Sequence, residues 1–203
     1  MQHTADYFDS LFESNADPWQ FKSRWYEARK RALTLACLPQ MRYTRGFEPG
    51  CANGELSAAL AARCDRLLVS DGSHRAVTMA TARLDGWPNV EVRQACVPSQ
   101  WPLEAFDLIV LSEFGFYLNA QDLDALAEKT VTSLQPGGTV VACHWRRPID
   151  GCEFNGDEVH QRLLQGMLKR VALTPVCHLM EPDMRLDVWS GDARSVAQRE
   201  GFA

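Results

Sequence analysis

From Thr44 onward the chain alternates short β-rich apolar runs with amphipathic ones, the pattern of crossover units in a mainly parallel sheet. The runs RGFEP, RLLVSD, VEVRQAC, FDLIVLS and GTVVACHW predict five strands. Between them, periodic apolar positions predict helices with inward faces Leu56, Leu60 and Cys64; Val77, Ala80 and Leu84; and Leu123, Leu126, Ala127, Val131 and Leu134. Turn signals fall at Gly86-Trp87-Pro88-Asn89 and Pro136-Gly137-Gly138. A further helix over 158–168 and the late strands PVCHLMEP and MRLDVWS complete a seven-stranded sheet with an antiparallel final hairpin and helices on both faces. Ahead of this core the pattern is helical over 6–37. It places Tyr7, Phe8, Leu11 and Phe12 on one face, breaks at Asp17-Pro18, resumes with Trp25, Arg29, Ala32, Leu33 and Ala36, and ends at Pro39. The expectation is a single α/β domain, 1–203, with a helical cap over 1–40 and the core over 41–190.

Composition narrows the partners. A hydrophobic fraction of 46% over 203 residues suits a globular domain with a sizeable core. Formal charge is −5, and the basic residues near the start (Lys22, Arg24, Arg29, Lys30, Arg31) form no block, so a small molecule is expected and nucleic acid is not. The seven cysteines show no C-x-x-C pair or zinc spacing, which predicts no metal site and a reducing compartment. The opening MQHTADYFDSLFESNADPW carries acids where a secretory leader carries a basic end, and no run approaches the ~18 apolar residues of a membrane span. Cytoplasm is the expected location, without a membrane partner.

In an open parallel sheet, ligands lie at the C-terminal strand ends. The turn after the first predicted strand reads EPGCANGE: Gly50 and Gly54 tolerate positive φ, and Cys51 and Ala52 between them are small. Asp71 ends the second strand about 20 residues later, where a carboxylate can accept hydrogen bonds from ribose hydroxyls. The turn lacks the third glycine of a dinucleotide fingerprint, and Glu55 stands where a pyrophosphate would sit, which counts against NAD. Glu48, two residues before Gly50, suits a cationic ligand. His144 ends the fifth strand on the same edge and is a candidate to orient an acceptor or take its proton, or equally a satisfied buried histidine. Asp157 and His160 read as a helix N-terminus and first turn, with a smaller chance of lining the acceptor pocket.

The segments FEPGCANGEL, LLVSDGS, FDLIVLSEFGFYL and LQPGGTVVACHW resemble class I S-adenosylmethionine-dependent methyltransferases. With the opening DPWQFKSRWYEARKRALTLACLP, the chain is similar over 6–189 to the NodS-like (nodulation protein S) N-methyltransferases. The resemblance implies a Rossmann-like core and S-adenosylmethionine as cofactor. It implies that Glu48, Gly50, Cys51, Ala52 and Gly54 hold the methionine part, Asp71 the ribose, and Gly72 and Ser73 the adenine side. Ser112 and Glu113 would face the sulfonium and acceptor, and the segment bearing Trp19, Trp25, Tyr26 and Arg29 would close over the cofactor. Cys96 stands where an acid commonly meets the adenine amino group; a thiol is a poor acceptor, which leaves the backbone of Cys96 and Val97 to read that edge. Gly115 stands where bulkier residues are usual, which reads either as extra room for an acceptor or as a local turn.

Methyl transfer from a sulfonium asks mainly for alignment and exclusion of water. Glu113, Tyr117 and His144 are the candidates to hold the acceptor, an amine or amino sugar by the resemblance, with nitrogen as the methylated atom. The rival readings are a cofactor-binding module without catalysis, suggested by Cys96 and Gly115, and a nicotinamide-dependent oxidoreductase.

Overall fold

A computed structural model describes residues 5–203; residues 1–4, which open the stretch read above as lacking a leader, lie outside the described residues. Two helices, α1 (Ala5–Ser14) and α2 (Trp25–Ala36), precede the first strand. The core then runs β1 (Tyr43–Pro49), α3 (Glu55–Ala61), β2 (Cys64–Asp71), α4 (His74–Leu84), β3 (Val90–Gln94) and β4 (Phe106–Ser112). A 3-10 turn (Gly115–Tyr117) follows, then α5 (Ala120–Thr132), β5 (Leu134–Trp145), α6 (Gly156–Leu168), β6 (Thr174–Met180), β7 (Met184–Ser190) and the short α7 (Val196–Arg199).

Among the described residues the seven strands form one sheet in the order β3-β2-β1-β4-β5-β7-β6. The first five strands pair in parallel, and β7 lies antiparallel between β5 and β6. The direction of winding reverses between β1 and β4, so the loops after these two strands diverge and open a crevice between them. Alternation in the central strands supplies two cores. Leu108, Val110, Val141 and Cys143 pack on the side covered by α2, α3 and α4, while Ile109, Leu111, Val140 and Ala142 pack toward α5 and α6.

Three expectations need correction. Cys64 and Leu134 open strands rather than closing helical faces, because α3 ends at Ala61 and α5 at Thr132. The Pro136-Gly137-Gly138 signal lies within β5, where the pairing steps from Phe106↔Leu134 to Leu108↔Thr139 and the excess residues are taken up as an irregularity with Gly137 at φ +77°. The largest departure is in α2. Trp25 is 76% exposed and Ala32 and Ala36 face solvent, whereas Glu27, Lys30 and Thr34 are buried. That helix turns a polar face inward because it lies against a cleft.

Candidate active site

The loops after β1, β2, β3 and β4 border a cleft of about 950 Å³, roofed by α1, the segment after it, and the start of α2. Sites for small ligands span roughly 300–1,000 Å³, so the space suits a cofactor together with an acceptor. Of the expected cofactor residues, Gly50, Ala52, Asp71, Gly72, Ser73, Cys96, Val97, Ser112, Trp19 and Tyr26 line it. A small adjoining cavity of about 50 Å³ lies under the glycine turn and touches Glu48 and Cys51.

The turn is shaped by backbone. Gly50 has φ +73° and faces the Phe114 ring so closely that a Cβ would meet it at 3.1 Å. Ala52 is itself at φ +48°, in the left-handed region that non-glycine residues seldom occupy. Asp71 holds this turn: one oxygen accepts from Ala52 N–H and the other from Ser73 N–H, each at 2.9 Å. The carboxyl is half-buried and partly engaged by these two amides. Burial raises its pKa, and these two N–H groups pull the other way. Its oxygens retain lone pairs for ribose hydroxyls.

Glu48 lies beneath, buried, with Oε2 lacking a hydrogen-bond partner among the described residues. Burial pushes its pKa up to about 8. An unmatched buried carboxyl oxygen under a glycine turn fits a group that brings a positive charge, such as the amino group of S-adenosylmethionine. Ser73 caps α4 by accepting from Ala76 N–H, and donates to Asp9 of α1. Asp9 also takes the Arg75 N–H, so α1 is fastened beside the adenine-side loop. Cys96 is exposed and its N–H is given to Gln100 Oε1 at 2.7 Å, so that amide is not offered to an adenine edge as expected.

At the other end the side chains carry the structure. Lys30, 6% exposed, reaches Glu27 at 2.8 Å and Glu113 at 2.6 Å. Burial alone would lower the lysine pKa; the two carboxylates outweigh it and hold the ammonium charged. Glu113 follows β4 with φ +58°, and its second oxygen accepts from Trp145 N–H at 2.9 Å. Its carboxylate is thus a fixed anchor and not an idle base. Tyr26 lies edge-on to Trp145, with Lys30 5.3 Å from its ring, and its buried hydroxyl has no hydrogen-bond partner among the described residues. Tyr117, packed between Phe8 and Phe116, completes this wall.

Three expected site residues stand elsewhere. Arg29 points away from the cleft and pairs in bidentate fashion with Glu181. Gly54, at φ +81°, caps α3, and a Cβ there would meet Ala80 Cα at 3.2 Å, so its glycine serves helix packing. His144 is fully buried behind the cleft wall, its Nε2 accepting from Gly115 N–H and its Nδ1 bonded to His160. Burial, then neighbouring His160, holds its pKa well below the usual 6.5, and neither nitrogen faces the cleft as an acceptor's base would. Among the lining residues that sequence reasoning missed, Arg24, Glu27, Lys30, Asp122 and Asp183 carry charge.

The inserted antiparallel β7, the glycine turn after β1 and the acid closing β2 define the class I methyltransferase fold. The sequence matches the family model of nodulation protein S (NodS) over residues 9–183, and the chain belongs to that family. Nodulation protein S of Sinorhizobium fredii is 31% identical over 134 residues, covering 62% of this chain and 59% of the relative. The chain spans 53% to 61% of the length of the curated relatives it matches. A crystal structure of a putative methyltransferase from Pseudomonas syringae is 48% identical, with TM-score 0.72, over 82% of this chain and 99% of the other. N-methyltransferase NodS from Bradyrhizobium japonicum, in complex with S-adenosylhomocysteine, is 26% identical with TM-score 0.78, over 90% of this chain and 97% of that one.

Proposed function

We propose that the protein transfers a methyl group from S-adenosylmethionine to the nitrogen of a small amine, with amino sugars the first acceptors to try. The observation that carries this reading is one continuous cleft with a glycine turn and ribose-type acid at one end and an acidic wall at the other. Its lining contains five acids (Glu27, Asp71, Glu113, Asp122, Asp183) against two cations, Arg24 and Lys30, and Lys30 is consumed by two of the acids. Such a lining attracts an ammonium and repels an anionic acceptor.

Bound S-adenosylmethionine supplies an electrophilic methyl group on a sulfonium. The residues of this chain do the rest by placement. Gly50 and Ala52 let the backbone approach, Asp71 orients the ribose, and Glu48 answers the amino group. Phe8, Trp19 and Tyr117 exclude water, while Glu113, locked by Lys30 and Trp145 N–H, fixes the floor next to Ser112. With both Glu113 oxygens engaged, the amine reaches the methyl group as the neutral base after losing its proton to solvent, and the rate rises with pH through the amine's own pKa. Against nicotinamide chemistry, Glu55 occupies the first turn of α3 and is held there by Arg83 at 2.8 Å.

The proposal extends to a cytoplasmic location and to a partner that is not nucleic acid. The formal charge of −5 and the acidic cleft support the second part, and the seven free cysteines support the first. No helix among the described residues is long and apolar enough to cross a membrane. Calorimetry with S-adenosylmethionine, S-adenosylhomocysteine and NAD, followed by S-adenosylhomocysteine release with a panel of amines and matched alcohols, tests the reading. Binding of the sulfonium pair and turnover with amines is the expected result. NAD binding alone, or turnover confined to alcohols, overturns it.

A further inference from the structure

We infer that His144, His160 and Asp187 form a one-directional hydrogen-bond chain that positions the acceptor-side turn Gly115–Tyr117. The inference rests on the reading of that end of the cleft as the acceptor end.

The direction follows from the first link. Gly115 N–H donates to His144 Nε2 at 3.2 Å, so this nitrogen carries the lone pair and the ring proton is on Nδ1. His144 Nδ1 lies 3.0 Å from His160 Nε2, which must then accept, leaving the His160 proton on Nδ1. That nitrogen meets Asp187 Oδ2 at 2.6 Å. The Asp187 carboxylate also accepts from Arg185 Nε at 2.7 Å and bonds His178 Nδ1 at the surface. Both inner rings are 0% exposed. An added proton on either ring has no acceptor: on His144 it would set Nε2–H against Gly115 N–H.

The charged groups facing the pair divide. Lys30 from α2 and Arg185 from β7 oppose an imidazolium, Asp187 from β7 and Asp157 on α6 favour one, and burial tips the balance toward two neutral rings. Among the described residues, His178 of β6 bonds this chain at Asp187.

The turn needs this support. Gly115 approaches so closely that a Cβ would lie 2.6 Å from Val159 Cγ1 and 3.0 Å from His144 Nε2. Its missing side chain is what lets the amide reach the ring, a different use from extra room for an acceptor. Phe116 sits edge-on to His144 at 5.5 Å, and Phe116 and Tyr117 both line the cleft. The neighbouring Trp145 N–H pins Glu113. The end of β5 thus fastens the segment after β4 through Trp145 N–H, the His144 ring and the Cys143 carbonyl, which accepts from Glu113 N–H at 3.0 Å. His144 and His160 are positioning residues, which act through the turn and not on the reacting atoms.

The test compares His144→Leu, which removes the acceptor for Gly115 N–H, with His144→Gln, whose amide oxygen restores one. With glucosamine as the primary-amine probe, His144→Leu should slow turnover roughly 10- to 100-fold, the scale for slight misplacement of aligned groups. S-adenosylhomocysteine affinity should stay unchanged, and His144→Gln should recover most of the rate. Equal impairment of both variants, or affinity falling in step with rate, overturns the proposal. The tautomers are read separately from ring nitrogen chemical shifts of the parent protein bound to S-adenosylhomocysteine. Both rings should be neutral with the proton on Nδ1 at pH 7, and an Nε2–H tautomer on either one overturns the proposal even where His144→Leu fails to fold. Since these spectra need no acceptor, failure of the parent to methylate glucosamine while they read as expected counts against the choice of acceptor and not against the chain.

Discussion

At the end of the cleft formed by β1 and β2, the ligand-facing surface is mostly backbone: Gly50, Ala52, Gly72 and the two amides held by Asp71. At the end formed by α2, β4 and β5 it depends on buried polar side chains, the Glu27–Lys30–Glu113 cluster in front and the His144–His160–Asp187 chain behind. The first arrangement is local, with partners about 20 residues apart. The second spans most of the chain; Lys30 and Glu113 alone are separated by 83 residues. A shared cofactor can be met by a compact motif, while an acceptor pocket is assembled from wherever the fold brings side chains together.

The sharpest way to break this comparison is to remove the charge at the centre of the side-chain end. Lys30→Met leaves Glu27 and Glu113 facing each other without a cation, and should cost about 3–5 kcal/mol of stability, the usual effect of orphaning a buried charge. Urea unfolding measures it. A loss under about 1 kcal/mol, the value of a surface pair, would mean that this end is as solvated as the other. Combining Lys30→Met with Glu113→Gln should return part of the loss, because one of the two stranded charges is gone.

A smaller effect is expected from Asp71→Ala, where S-adenosylhomocysteine binding should weaken by about 2 kcal/mol through lost charge-assisted hydrogen bonds. Asp71→Asn should lose less, since its amide oxygen keeps one of the two backbone contacts. Calorimetry on both variants decides, and unchanged affinity in Asp71→Ala would remove the ribose role.

The two ends also carry opposite responses to pH. Glu48 has its pKa raised from the ordinary 4.5 to about 8, so between those values the folded protein binds the extra proton and stability falls as pH rises. His144 and His160 are held below the ordinary 6.5, so beneath that pH the unfolded chain binds the extra protons and stability falls as pH drops. Each fully displaced proton contributes a slope of about 1.4 kcal/mol per pH unit. Thermal unfolding from about pH 5 to about pH 8.5 should show Glu48→Gln flattening the alkaline side and His144→Gln flattening the acid side. A variant that flattened the wrong limb would break the assignment.

Much of this architecture was legible in the sequence. The runs FDLIVLS and MRLDVWS coincide with β4 and β7 because buried central strands are bounded by polar turns. The glycine turn and Asp71 were readable because their geometry is made within one crossover unit. Lys30 was not, since Glu27 and Lys30 three residues apart look like an ordinary solvated helical pair. Only the position of α2 against the cleft makes them interior. His144 was placed on the correct strand end, but alternation alone could not show that His160 and Asp187 would claim it from behind.

The lining of the cleft draws on residues from Ala5 to Asp183. During synthesis, the glycine turn and its acid emerge early, yet the last contributor leaves the ribosome only after β6 has been made. A nascent or truncated chain stopping at β5 would have the cofactor loops without Asp183, without Asp187 behind the turn, and without β7 to seal β5. The complete pocket therefore forms only once the chain has been made through β7, and a ligand that needs both ends of it distinguishes such molecules from shorter ones.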